Sequence, residues 1–174
     1  NVMNPNPVLV QGWKSSKDLP EDLFRDENIV QRLQRVHSLS ALRFLHASLV
    51  GIGSRIDRFH ANLLVGLYAR FSSPIDASSV FNSMSYRDVV SWTSLMDSYT
   101  HVHDFSQGLH VYNMMLDCCI YPPNQISFIC ALKACSGGRF LKEGMDIHAS
   151  YVMRYGCDDE DDVIVSTSLV NMYC

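Results

Sequence analysis

A chain that repeats itself folds under a particular constraint: each copy is a supersecondary unit whose apolar side only its neighbour can cover, so the copies must stack. This sequence of 174 residues echoes itself in that way. Leu45-His46-Ala47-Ser48 returns as Ile147-His148-Ala149-Ser150, each followed by a glycine and then an aspartate. Asp57 and Asp162 stand 105 residues apart, and so do Tyr68 and Tyr173. Shorter units lie inside that period. With Tyr68, Tyr99, Cys135 and Tyr173 taken as equivalent, the spacings are 31, 36 and 38 residues, which is the range of helix-turn-helix repeats.

Within each unit the apolar period is helical. Trp92, Leu95, Met96 and Tyr99 form one stripe, and Phe105, Leu109, Tyr112 and Leu116 a second. Leu64, Leu67, Tyr68 and Phe71 pair in the same way with Ala77, Val80, Phe81 and Met84. Phe128, Ala131, Leu132 and Cys135 pair with Leu141, Met145, His148 and Val152. Breakers separate the stripes: Ser72-Ser73-Pro74, His103-Asp104 and Ser136-Gly137-Gly138 fall inside units, and Tyr121-Pro122-Pro123-Asn124 falls between two of them. No segment alternates for long as a strand would. The expected fold is therefore all-α, a solenoid of stacked helical hairpins. Residues 1–25, with Pro5, Pro7 and Pro20, read as an extended lead-in. The chain opens on Asn1 and stops at Cys174 inside an apolar periodic stretch, so both ends are expected to be cut.

The formal charge of −4 argues against nucleic-acid binding through a broad basic surface, so any such binding must rest on a local groove. The six cysteines include no C-x-x-C pair, which argues against a zinc ribbon or a redox motif and fits a reducing compartment. Cys118-Cys119, Cys130 and Cys135 read as small packing residues. No apolar run reaches membrane-spanning length, and no secretory signal opens the chain. No membrane insertion is expected.

Three stretches carry a resemblance to a known family. Val89-Val-Ser-Trp-Thr-Ser-Leu-Met-Asp-Ser-Tyr99 with Gly108-Leu-His-Val-Tyr-Asn-Met-Met115 resembles an ordinary pentatricopeptide repeat. Gln125-Ile-Ser-Phe-Ile-Cys-Ala-Leu-Lys-Ala-Cys135 with Leu141-Lys-Glu-Gly-Met-Asp-Ile-His148 resembles its long variant, and residues 58–88 resemble the short one. The division is long 26–57, short 58–88, ordinary 89–124, long 125–162 and a partial short repeat 163–174. That order is similar to the land-plant subclass that alternates ordinary, long and short repeats. The first long repeat is about three residues short near Leu42 to His46, and the ordinary one carries an extra residue near Tyr121. The resemblance implies a right-handed α-solenoid.

It also implies a site. In this family the fifth and last residues of a repeat read one base, and the second residues of adjacent repeats sandwich it. Carried onto this chain, Asn62 with Asp88 corresponds to uracil, flanked by Phe59 and Val90. Thr93 with Asn124 corresponds to adenine, flanked by Val90 and Ile126. Thr167 leans to a purine, with Ile164 at the second position of its repeat. The long repeats offer Val30 with Asp57 and Ile129 with Asp162, and an apolar fifth residue cannot hydrogen-bond a base, so those pairs receive none. Plainer readings stand beside these: Asn62 as a polar residue near a helix start, Asp88 as a helix cap, and Val90 and Ile126 as ordinary packing.

Other constellations favour bland readings. His46 and His148 recur at equivalent positions, as packing residues of a repeat do. His101, His103 and His110 are surface histidines without a completing ligand set, so no metal is expected. The run Asp158-Asp159-Glu160-Asp161-Asp162 lacks the glycine-punctuated spacing of a calcium loop and reads as a solvated connection between repeats. Some members of the subclass end in a cytidine-deaminase-like domain, which needs H-x-E and C-x-x-C; the chain contains neither. No phosphate loop or nucleophile elbow is present, so neither an enzyme nor a cofactor is expected. The resemblance implies binding of single-stranded organellar RNA, mitochondrial first and chloroplast second, in support of processing, stabilisation or C-to-U editing by partner proteins. The rival is a scaffold solenoid of an organellar assembly such as a mitochondrial ribosome, which the acidic balance favours.

Overall fold

The structure, a computed structural model, describes residues 26–51, 56–118, 120, 122–156 and 163–174, with side chains from Ile29 onward. The lead-in expected over 1–25 and the acidic run at 158–162 lie outside the described residues, as do Cys119, Tyr121 and Cys157. Among the described residues there are nine helices and no strand. The chain divides into two compact units, Asn1–Ile56 and Asp57–Cys174. The fold is all-α, built from helical hairpins as the repeats require.

The first unit holds α1 (Asp26–Gln34) and α2 (Leu39–Gly51). Ile29, Leu33 and Val36 make the buried stripe at and just beyond α1, and Leu42, Leu45 and Leu49 make that of α2. The second unit holds α3 (Arg58–Arg70), α4 (Pro74–Ser83), α5 (Val89–His101), α6 (Phe105–Cys118), α7 (Gln125–Gly138), α8 (Leu141–Tyr155) and α9 (Val163–Tyr173). Here α3, α5, α7 and α9 form one row, each against the next. Each of α4, α6 and α8 packs against the helix before it and the helix after it. The core lies between these two layers, around Leu64, Tyr68, Phe81, Met96, Tyr112, Phe128 and Leu132.

Two faces differ from the apolar stripes drawn from sequence. In α6 the buried residues are Gly108, Leu109, Val111, Tyr112 and Met115, and Leu116 is exposed. In α8 they are Gly144, Ile147 and Tyr151, while Leu141 and Met145 are exposed and His148 and Val152 are half-buried. The reason is a small residue at the fourth position of each second helix in this second unit: Ala77, Gly108 and Gly144, all buried. A Cβ on Gly108 would lie 3.2 Å from Thr100 Cγ2, and one on Gly144 would lie 2.6 Å from Met172 Sδ. Tight packing against these side chains fixes the inward face there, and a glycine contributes nothing to an apolar count.

The hairpin turns share one device. Ser72, His103 and Arg139 all adopt the left-handed conformation, at φ 54°, 60° and 57°. The following residue then donates back across the turn: Ser73 N–H to Tyr68 O at 2.9 Å, Asp104 N–H to Tyr99 O at 3.0 Å and Phe140 N–H to Cys135 O at 2.9 Å. These bonds satisfy carbonyls that the end of a helix leaves open. Gly137 and Gly138 are not the break expected from sequence. They end α7, where a Cβ on Gly137 would strike the Phe105 ring and one on Gly138 the Phe140 ring. Left-handed geometry is costly for a side-chain-bearing residue, so Arg139→Gly is expected to stabilise the protein by about 0.5–1 kcal/mol, read as a higher urea midpoint.

Tyrosine hydroxyls tie successive repeats together. Tyr99 Oη pairs with Ser78 Oγ of α4 at 2.8 Å, and Tyr173 Oη pairs with His148 Nδ1 of α8 at 2.9 Å. His148 is thus a structural residue. Cys130 and Cys135 are buried, and burial pushes both thiols up to about 11. Cys118, by contrast, is exposed at the end of α6 rather than packed.

Candidate nucleic-acid interface

The first helices of the second unit begin alike. Asp57, Asp88 and Asn124 are extended residues just before α3, α5 and α7, and each side chain accepts the N–H of the third helical residue: His60 at 2.8 Å, Ser91 at 3.0 Å and Ser127 at 3.0 Å. Acid and amide side chains are preferred there because the first N–H groups of a helix lack internal partners. The plain reading of Asp88 as a cap therefore holds, and Asn124 does the same work.

Asp88 also belongs to a cluster that crosses between repeats. Asn62, on α3, donates from Nδ2 to Asp88 Oδ1 at 3.1 Å. Ser91 Oγ donates to Asn62 Oδ1 at 2.6 Å and accepts the Asp88 N–H at 3.1 Å. Arg58 Nε stands 3.2 Å from Asp88 Oδ2. Partial burial raises the Asp88 carboxyl pKa, but the Ser91 N–H, the Asn62 amide, the Ser91 hydroxyl and the Arg58 charge outweigh it and hold the group below its ordinary value. The group is thus an ionised, acceptor-only carboxylate at neutral pH. Its stabilising contribution is complete above the ordinary carboxylate range and is lost as pH falls through the lowered value.

The second pair is arranged differently. Thr93 turns its hydroxyl to its own helix, donating to Val89 O at 2.9 Å. Asn124 Oδ1 accepts both the N–H and the hydroxyl of Ser127, each at 3.0 Å. No hydrogen bond joins Thr93 to Asn124 among the described residues. Thr167 is exposed and donates to Val163 O at 2.6 Å. It lines a shallow cleft between α7 and α9 with Lys133, Ile164 and Asn171.

Phe59, Val90, Ile126 and Ile164 occupy the second position of α3, α5, α7 and α9, and all are more than half exposed, at 61%, 56%, 57% and 64%. Core packing does not account for Val90 or Ile126. Three contributors were missed from sequence: Ser91, Ser127 and Arg58. A serine three residues after a capping acid or amide is the signal for the first two. Among the described residues no three His, Cys, Asp or Glu side chains gather as a metal site would require. His101, His103 and His110 are exposed, and His101 Nδ1 bonds the Asp97 carbonyl of its own helix. None of the described helices is long and apolar enough to cross a membrane.

Stacked helical hairpins with repeated caps and a row of exposed apolar residues along the first helices define a helical-repeat protein. No family model matches the chain. It is 30% identical over 162 residues to a chloroplastic pentatricopeptide repeat-containing protein of Arabidopsis thaliana, covering 91% of this chain and 21% of the relative. It is 35% identical over 129 residues to a putative pentatricopeptide repeat-containing protein of the same plant, covering 74% and 18%. A mitochondrial pentatricopeptide repeat-containing protein of Arabidopsis thaliana is 28% identical over 142 residues, covering 82% and 22%. The chain belongs to the pentatricopeptide repeat-containing proteins and spans between 18% and 22% of the length of these relatives.

Proposed function

We propose that this segment reads single-stranded RNA one base per repeat and carries no catalytic residue of its own. The observation that supports the reading most is the row formed by Phe59, Val90, Ile126 and Ile164: four apolar side chains at one helical position, each left in solvent. Apolar groups set at a regular interval beside polar clefts suit the faces of unstacked bases.

The polar groups between them match particular edges. Asn62 uses one N–H on Asp88 and keeps the other, and Asp88 is an acceptor. A base with a carbonyl next to a ring N–H, as in uracil, complements that pair. Asn124 has its Oδ1 occupied by Ser127, so its NH₂ is the group it offers, and Thr93 offers oxygen lone pairs because its proton is used on Val89. Adenine, with a ring acceptor beside an exocyclic amino group, complements that one. Thr167 favours a purine, and the repeats with Val30 and Ile129 select no base. The repeats alternate as in the plant subclass with ordinary, long and short units. The protein works in mitochondria, or alternatively in chloroplasts, the two organelles named among its relatives, and supports processing, stabilisation or C-to-U editing by partners.

Selection from a random RNA pool by the full-length protein tests this. The enriched RNAs are expected to carry U followed directly by A, then any base and a purine, with the amino-terminal repeats toward the RNA 5′ side. Retention without enrichment at any of these positions would favour the scaffold role, to which the net charge of −4 is suited.

A further inference from the structure

Ser91 has no surface of its own, with 0% exposure, yet its hydroxyl is fully engaged. Its proton lies toward Asn62 Oδ1 at 2.6 Å, the shorter of its two acceptor contacts, the other being Asp88 Oδ1 at 3.0 Å. Its lone pair takes the Asp88 N–H. Asn62 is therefore held from both sides: its carbonyl against a buried donor, one amide N–H against a carboxylate. An inverted amide would set oxygen against the Asp88 oxygen and NH₂ against the Ser91 hydroxyl, losing the first bond outright. Ser91 belongs to the next repeat, 29 residues along the chain.

We infer that Ser91 is a positioning residue that fixes the polarity of Asn62, so that only an N–H faces the base, and that it thereby selects uracil over cytosine. The inference rests on the base-reading proposal above. Uracil and cytosine differ at one edge by a carbonyl in place of an amino group. A base held in register between Phe59 and Val90 meets the remaining Asn62 N–H with its carbonyl; the amino group of cytosine meets donor with donor. Without the Ser91 hydroxyl, the inverted amide no longer gives up a bond to that group, only the Asp88 contact opposes it, and the carbonyl it turns outward accepts from that amino group. The equivalent residue in the following repeat boundary behaves differently. Ser127 holds Asn124 Oδ1 with its backbone N–H as well as its hydroxyl, so the amide stays fixed when the hydroxyl is removed.

The test is competition between two RNAs differing only as U or C opposite Asn62 and Asp88, using the full-length protein and its Ser91→Ala, Ser91→Thr, Ser127→Ala and Asn62→Ala variants. Ser91→Ala is expected to reduce the preference for U roughly fivefold, the worth of one ordinary hydrogen bond, by improving relative binding of the C RNA. Ser91→Thr keeps the hydroxyl and should restore the preference, and Ser127→Ala should leave it unchanged. Equal weakening of both RNAs by Ser91→Ala, with a lowered unfolding midpoint, would make Ser91 a cap alone and overturn the inference. An unchanged ratio in Ser91→Ala with the ratio lost in Asn62→Ala also overturns it, while leaving base reading intact. A ratio unmoved by Asn62→Ala removes base reading at this repeat and the inference with it.

Discussion

Phe128→Ala is expected to cost about 3–5 kcal/mol of stability, the usual penalty for emptying a buried aromatic site. Phe128 is 2% exposed and stands at the meeting point of three helices. Its ring centroid lies 6.2 Å from that of Tyr112 on α6, 5.4 Å from Tyr151 and 6.2 Å from Tyr155 on α8. Tyr112 is itself buried deeply enough for its phenol to be pushed up to about 12. In a stacked array each hairpin is stabilised mainly by its neighbours. The loss should therefore be uneven: native-state hydrogen exchange is expected to show lost protection in α7, α8 and α9 with protection kept in α3 and α4. A uniform loss across the second unit would mean that it unfolds as one cooperative block.

The other large effect concerns the second pair proposed to read a base, Thr93 with Asn124. Thr93→Asn together with Asn124→Asp should move the preference at that one RNA position from adenine to uracil by about 1–3 kcal/mol, the range of a good polar base contact. The exchange reproduces more than two side chains. Ser127 already stands three residues after position 124, as Ser91 stands after Asp88, so the transplanted pair meets the same hydroxyl. It lacks a counterpart of Arg58, because Val89 occupies that place, and the new carboxylate should sit closer to its ordinary pKa than Asp88 does. Competition between RNAs differing at that base measures the shift, and the neighbouring position should not respond. Equal binding of both RNAs by both proteins would count against base reading in this repeat and support a scaffold role.

Much of the fold was legible because a buried helix face announces itself through apolar residues three and four apart. Trp92, Leu95 and Met96 on α5 and Ala77, Val80, Phe81 and Met84 on α4 and its C-cap are buried as their spacing required. The errors on α6 and α8 share one cause: the buried face runs through Gly108 and Gly144, whose contribution is the absence of a side chain. Two hairpin turns lie where the sequence put them, at Ser72 and His103, and the third misled for a related reason. Glycine is the usual left-handed residue, but here Ser72, His103 and Arg139 take that conformation while Gly137 and Gly138 make room for aromatic rings. At the interface, residue type marked Asp88 as a cap but not Asn124, whose cap came only with the structure, and pairing Asn62 with Asp88 came from the family resemblance alone. The contact between Asn62 and Ser91 joins two repeats, and no local pattern encodes a bond of that span.

The residue that closes one repeat also opens the next helix: Asp57, Asp88 and Asn124 all cap. If those positions also carry the base choice, the alphabet available for rewriting an RNA target is bounded by foldability. Asp, Asn, Ser and Thr can serve both purposes, whereas an aliphatic substitute would forfeit the start of a helix along with the base. Drift in target sequence is then channelled through a few small polar letters, and a mutation that silences recognition at such a position is also one that loosens the seam between two repeats.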